Sequence, residues 1–199
     1  MASTVLYMSM SLDGFVAGPN ERLDNGLGDG GERLHEWTGV IDDVNQLGTG
    51  ERIGAGDREV IDEFLSTGSV LAGRGTFEPA GGWNGDHHDG VPIFILSRHQ
   101  PEERFAGWPG VTYLSDLGEA VRRAKEAAGK KNVLVHGVGT GQRCLQAGLL
   151  DEIQIHLIPV LLGEGRRLFE HLGAEHIELE TVQVVRGTEA THLRYRVLR

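Results

Sequence analysis

From Thr4 to Ser11, Leu6, Met8 and Met10 fall on one face and Val5, Tyr7 and Ser9 on the other, a period-two alternation that predicts a strand and breaks at Asp13-Gly14. Three short, nearly all-apolar runs at 69–73, 92–97 and 133–136 read as buried strands, with a weaker one at Val111–Leu114. The 152–160 run sets Ile153, Ile155 and Leu157 against Gln154 and His156 and reads as a half-buried strand. Two further alternating runs, 177–185 and 190–198, flank Arg186-Gly187-Thr188 as an antiparallel hairpin.

Helical signals lie between these runs. Asp57 reads as an N-cap before the stripe Val60, Ile61, Phe64 and Leu65, which stops at Gly68. Asp116 with Glu119 forms a capping-box pattern opening a helix through Ala128, which Gly129 ends. A helix is expected from Arg74, and another carrying Cys144, Leu145 and Leu149. Strands alternating with helices and closed by a hairpin predict an α/β fold, a central mixed and mostly parallel sheet with one antiparallel edge. Residues 19–56 read as a Gly-, Asp- and Asn-rich surface insertion with one short helix candidate at 34–41.

Composition narrows the reading. With 199 residues, 39% hydrophobic and 24% charged, one domain (1–199) is expected. The 30 glycines are dispersed, as tight turns and close backbone approaches require. A net charge of -10 argues against a nucleic-acid partner. Cys144 is the sole cysteine, which leaves no intrachain disulfide or thiolate cage. Neither a signal peptide nor an apolar stretch near the ~20 residues of a membrane span is present, so no membrane partner and a cytoplasmic location are expected.

Candidate chemistry gathers at strand ends. Gly73-Arg74-Gly75-Thr76 and Gly137-Val138-Gly139-Thr140-Gly141-Gln142 each join a buried strand to a helix, where free N–H groups and the helix dipole favour an anion. Either turn could equally be a short connection; the second does not complete a G-x-G-x-x-G fingerprint and has no Walker lysine. Ser97-Arg98, ending the 92–97 strand, could hold a phosphate monoester, the alternative being a solvated cation. Asp13 could brace its turn or act in catalysis. Contiguous Asp86, His87, His88 and Asp89 make a poor metal set, and no metal is expected. His136 and His156 read as structural, and Trp83 as pocket wall or core.

The motifs S-L-D-G-F-V-A-G, G-R-x-T followed by Phe77 and Trp83, L-S-R, V-x-V-x-G-x-G, A-G-L-L-D-E-I and P-V-L-L-G-x-G-x-x-L-F occur in that order along nearly the whole chain. Together they resemble the dihydrofolate-reductase-like superfamily, closest to the reductase domain of the bacterial riboflavin-biosynthesis deaminase-reductases as a stand-alone member. The resemblance implies an NADPH-dependent oxidoreductase. Arg74 and Thr76 would hold cofactor phosphates, Leu96, Ser97 and Arg98 the adenosine end with its 2′-phosphate, and Gly137, Gly139, Thr140 and Gly141 the pyrophosphate. Asp13 would lie on the substrate side as catalytic or orienting residue, with Trp83, Leu162 and Gly163 bordering the substrate.

Gly75 and Val138 depart from the residues common in relatives, and the zinc-deaminase module of the bifunctional enzymes is lacking. The expected activity is hydride transfer to a C=N or C=O bond of a small heterocyclic or sugar-phosphate-like substrate, such as 5-amino-6-(5-phosphoribosylamino)uracil. The alternative is an NADPH-binding sensor or structural module without turnover. A homodimer is expected from the resemblance, with the 152–160 strand and the hairpin as candidate edges.

Overall fold

The computed structural model describes residues 2–23, 25–39, 47, 53–173 and 176–198. Ten strands are formed among them: β1 (Thr4–Ser11), β2 (Phe15–Ala17), β3 (Ser69–Gly73), β4 (Ile93–Leu96), β5 (Val111–Leu114), β6 (Val133–His136), β7 (Glu152–Ile158), β8 (Arg166–Arg167), β9 (Leu179–Arg186) and β10 (Thr191–Val197). The α-helices are α1 (Ala55–Leu65), α2 (Arg74–Phe77), α3 (Leu117–Ala128) and α4 (Val138–Gln146). Eight strands make one sheet in the order β5-β4-β3-β6-β1-β7-β10-β9. It is parallel from β5 to β7, and β10 and β9 add an antiparallel edge, as the pattern predicts. Strands β2 and β8 pair separately.

Each face of the sheet carries its own core. On one, Leu6, Leu71, Val133, Val135, Ile153 and Ile155 pack with Ala120, Val121 and Ala124 of α3 and Cys144 and Leu145 of α4. On the other, Val5, Tyr7, Val70, Ala72 and Leu134 meet Phe77 and Phe105. Leu34 and Trp37 join Val60 and Ile61 of α1 in a third cluster.

Four expectations shift. First, α1 is capped by Gly54, not Asp57. Asp57 stands in the first turn, where its Oδ2 accepts the Gly54 N–H (3.2 Å) and the Thr188 N–H (2.8 Å). Second, the 34–41 candidate forms two 3₁₀ turns, Gly31–Leu34 and Glu36–Thr38, separated at His35, while 40–41 lie outside the described residues. Third, the α4 helix ends at Gln146, before Leu149.

Fourth, β7 is not half-exposed. Gln154 and His156, its polar positions, are buried because β7 lies between β1 and β10 under a second layer. It therefore offers no edge for pairing; within the hairpin the edge strand is β9, where Val182 and Val184 are exposed. Among the described residues, no helix is long and apolar enough to cross a membrane.

Candidate active site

The two glycine-rich turns leave neighbouring parallel strands, β3 and β6, at their carboxyl ends. They interlock. Gly137 has φ +93, and a Cβ there would lie 2.0 Å from Thr76 Oγ1; a Cβ on Gly73 would lie 3.0 Å from Thr140 Oγ1. Each threonine thus stands over the other turn's glycine. Gly75 and Gly139, by contrast, face open space.

In α4 the first intrahelical bond runs from Gly141 N–H to Gly137 C=O at 3.0 Å, so the amides of Val138, Gly139 and Thr140 belong to the uncommitted helix start. α2 is a single turn, too short for an appreciable summed dipole, and its junction offers main-chain N–H groups only. Gly141 turns inward: a Cβ there would meet Leu6 Cδ1 at 2.8 Å, so its smallness serves the packing of α4 on the sheet.

These turns open onto a cleft of about 500 Å³. Gly75, Thr76, Gly137 and Val138 form one wall, and Trp83, His87 and His136 lie beside them. The segment read as an insertion also lines it, through Glu32, His35, Trp37 and Thr38, as do His156 and Tyr7. Burial holds the His35 and His136 rings down at about 4, His35 further lowered by His136, and His136 partly offset by the nearby Tyr7 main chain. Burial, with neighbouring histidines, keeps His87 and His156 well below the ordinary range too. At neutral pH the imidazoles lining the cleft are uncharged, and a nitrogen of such a ring that faces the cleft can give or take one hydrogen bond according to its tautomer.

The remaining sequence candidates fall into three places. Arg74, 42% exposed at its side chain, lies 3.7 Å from Glu78, whose own pKa burial raises. Leu96 is buried, and the Ser97 hydroxyl is engaged locally, donating to His99 C=O (2.9 Å) and accepting its N–H (3.0 Å). Arg98 is exposed beside it. Asp13, Leu162 and Gly163 come together as a brace. Asp13 Oδ1 accepts the Ser11 hydroxyl (2.6 Å) and the Leu162 N–H (3.1 Å), and Oδ2 accepts the Gly163 N–H (2.8 Å).

The Ser11 hydroxyl, then the two amides, hold the Asp13 carboxyl down at about 2. None of these three residues lines the cleft. A carboxylate so saturated with donors ties the β1 turn to the 159–165 loop and is a poor proton carrier.

The sequence pattern reads His136 and His156 as structural and His87-His88 as a poor metal set; the structure brings all but His88 to the cleft lining, with His35, which the pattern does not single out. His156 of β7 stands in register with Ser9 of β1 on one side and His192 of β10 on the other. His156 Nδ1 is 3.0 Å from His192 Nδ1, and His192 Nε2 is 3.0 Å from Asp57 Oδ1. Trp37 covers both rings, at 4.6 and 4.8 Å between centroids, and donates its indole N–H to Ser9 Oγ at 3.0 Å. Elsewhere in the lining, His87 Nδ1 meets His88 Nδ1 at 2.7 Å, and His88 Nε2 meets Thr67 Oγ1 at 3.1 Å. Asp86 instead accepts the Gly90 N–H, and no three His, Cys, Asp or Glu side chains among the described residues are arranged to hold a metal. The available signal was a polar residue at a strand position that neighbouring strands bury.

The fold and its carboxyl-edge cleft define an α/β protein of dihydrofolate-reductase-like architecture. The model of the RibD C-terminal domain matches residues 3–193, and the chain belongs to that family, the reductase family its motifs resemble. It is 26% identical over 181 residues to the uncharacterized protein YwjB of Bacillus subtilis, covering 86% of this chain and 85% of that one.

Among solved structures, a candidate riboflavin biosynthesis protein of Shewanella sp. PV-4 superposes with a TM-score of 0.69 at 20% identity, over 99% of both chains. The Saccharomyces riboflavin biosynthesis reductase Rib7 superposes with a TM-score of 0.59 at 13% identity, over 99% of this chain and 90% of that one. At those identities the two structures speak for the fold.

Proposed function

We propose that this chain is an NADPH-dependent reductase that delivers hydride to a C=N or C=O bond of a small heterocycle, of the 5-amino-6-(5-phosphoribosylamino)uracil type. The observation that carries this reading is the interlocked pair of glycine turns opening, side by side, onto a cleft that Trp37, Trp83 and four histidines also line. The residues present fit an extended dinucleotide: the amides at the start of α4 suit its pyrophosphate, and the open space at Gly75 and Gly139 admits it close to the main chain. Exposed Arg98 beside Ser97 suits the 2′-phosphate that distinguishes NADPH from NADH. Membership in the RibD C-terminal domain family supports the oxidoreductase class.

When bound, the cofactor supplies the hydride. The protein's part is to orient and to exclude water. Thr76 and Val138 border the cofactor side, Trp37 and Trp83 supply aromatic surface, and neutral His35, His136 and His156 line the cleft together with Glu32. Asp13, a catalytic candidate by the family resemblance, acts by holding the 159–165 loop through the Leu162 and Gly163 amides. A cytoplasmic, homodimeric setting belongs to the same proposal.

The test is NADPH binding by calorimetry, followed by NADPH oxidation with a panel of reducible pyrimidines, pterins and flavins. Gly75→Leu adds bulk where nothing stands within 4 Å, so it should leave the fold intact and weaken NADPH binding at least about tenfold. Arg98→Ala should weaken NADPH but not NADH. Tight binding without oxidation across the panel would favour a sensor, and equal binding by the Gly75→Leu protein would remove the cofactor assignment.

A further inference from the structure

We propose that Asp57, His192 and His156 form a proton relay that ends in the cleft at His156 Nε2, making His156 the group that exchanges a proton with the bound substrate during reduction. The inference rests on the reductase reading for its chemistry, but its geometry stands alone.

The direction of the relay follows from donors and acceptors. Asp57 Oδ2 is taken by two backbone N–H groups, Gly54 and Thr188, so Oδ1 is left to accept from His192 Nε2–H. With its proton on Nε2, neutral His192 presents a lone pair at Nδ1, and His156 must donate Nδ1–H across the 3.0 Å contact. His156 Nε2 is then an acceptor. Among the described residues it has no hydrogen-bond partner, and it is not one of the sealed, unsatisfied polar atoms, so it meets the cleft its ring lines.

The backbone makes room for this chain of contacts. A Cβ on Gly187 would lie 1.9 Å from Asp57 Oδ1 and 2.9 Å from His192 Nε2. His192 and Asp57 are sealed, with side chains 0% and 1% exposed. Two imidazoles and a carboxylate in hydrogen-bonded line make a continuous polar network through an otherwise apolar layer, a path along which a proton can pass.

The proton-loaded state carries His192 as imidazolium, donating Nε2–H to Asp57 and Nδ1–H to His156, whose own proton is now on Nε2. As hydride reaches the carbon of the C=N or C=O bond, the π pair moves to the heteroatom, which takes the His156 Nε2 proton. His156 Nδ1 takes the proton of His192 Nδ1 in turn, and His192 returns to neutral beside Asp57. One proton and one hydride are consumed, and solvent reloads the relay through the cleft after product leaves.

Burial lowers both rings, while Asp57 partly offsets this at His192. The groups facing the pair are Asp57 of α1, His35 of the 3₁₀ segment, His136 of β6 and Tyr7 of β1, with the Glu63–Arg194 pair one row away. The loaded state is therefore favoured by acid, and the reduction rate should fall as pH rises through neutrality.

Asp57→Asn tests the relay without depending on activity. The two backbone donors keep the Asn carbonyl at the Oδ2 position, which turns the NH₂ toward His192 Nε2. That nitrogen must now accept, so the proton moves to Nδ1, His156 Nδ1 becomes the acceptor, and His156 carries its proton on Nε2. Long-range ¹H–¹⁵N spectra of histidine-labelled protein at pH 7.5 should show His156 as the Nδ1–H tautomer in wild type and Nε2–H in Asp57→Asn. In turnover, kcat should fall about 10²- to 10⁴-fold with the NADPH KM unchanged.

An Nε2–H His156 in the wild type overturns the proposal, and that spectrum decides even if the variant fails to fold. So does an unchanged His156 tautomer in a folded Asp57→Asn protein. If wild-type protein reduces nothing, the reductase reading fails, while the spectra still decide the relay.

Discussion

Acidification from pH 8 to 5 should destabilise this protein far more than its carboxylates can explain. His35 and His136 are held at about 4 in the fold and return to about 6.5 when unfolded. Because the folded values are the lower, the unfolded chain binds more protons between pH 6.5 and 4. Stability is full above 6.5 and drains as pH falls through that window. At pH 5 the unfolded imidazole is almost wholly protonated and the native one only about a tenth so, a cost of about 2 kcal/mol per ring.

Both rings look into the cleft, and water there makes that an upper figure. Two rings approach 4 kcal/mol, a large part of the usual about 5–15 kcal/mol of a domain. Asp13, lowered to about 2, does not lose its partners until far below this range. Urea unfolding followed by fluorescence should show the midpoint falling by about 1–2 M between pH 8 and 5, and His136→Phe should remove a substantial share of that fall. A midpoint that stays put would refute the assignment of these rings as neutral and buried.

Three other perturbations follow from the geometry. Gly137→Ala places a Cβ 2.0 Å from Thr76 Oγ1 at φ +93 and should cost about 2–4 kcal/mol by thermal unfolding; adding Thr76→Ala should recover part of it, whereas equal losses in single and double variants would deny the interlock. Gly187→Ala, pushing into Asp57 Oδ1, should cost about 1–3 kcal/mol and release the His192 tautomer, readable in the same ¹⁵N spectra. In Asp13→Asn the carbonyl stays where the Ser11 hydroxyl and Leu162 amide converge, so hydrogen exchange should quicken at Gly163 and change little at Leu162; equal protection at both would argue against the brace.

The central strands were legible because each is a short apolar run that only a strand covered on both faces can accommodate, and the glycine turns after 73 and 137 mark their carboxyl ends. The edges of that legibility have physical causes. The alternation at Gln154 and His156 is the pattern of a solvated strand face, and only the neighbouring β10 with Trp37 and α1 above it turns that face into an interior. Asp57 has the letter of an N-cap, but its partners, Thr188 and His192, are 131 and 135 residues away in the chain. Asp13 was readable as a motif residue. Its work depends on where the Leu162 and Gly163 amides arrive, which no local spacing reveals.

The segment with the least regular pattern has the largest bearing on chemistry. Residues 31–38 are short 3₁₀ turns, poor in the periodicity that announces an element, yet they bring His35, Trp37 and Thr38 over the cleft. Trp37 in particular seals the His156–His192 contact from above while its indole N–H is held by Ser9. On the proposed function, a sheet-borne cradle for the cofactor and a loop-borne cover meet at His156. The cradle would be set by strand ends and glycines, and varying the cover alone should change which substrate is accepted without disturbing where hydride is delivered.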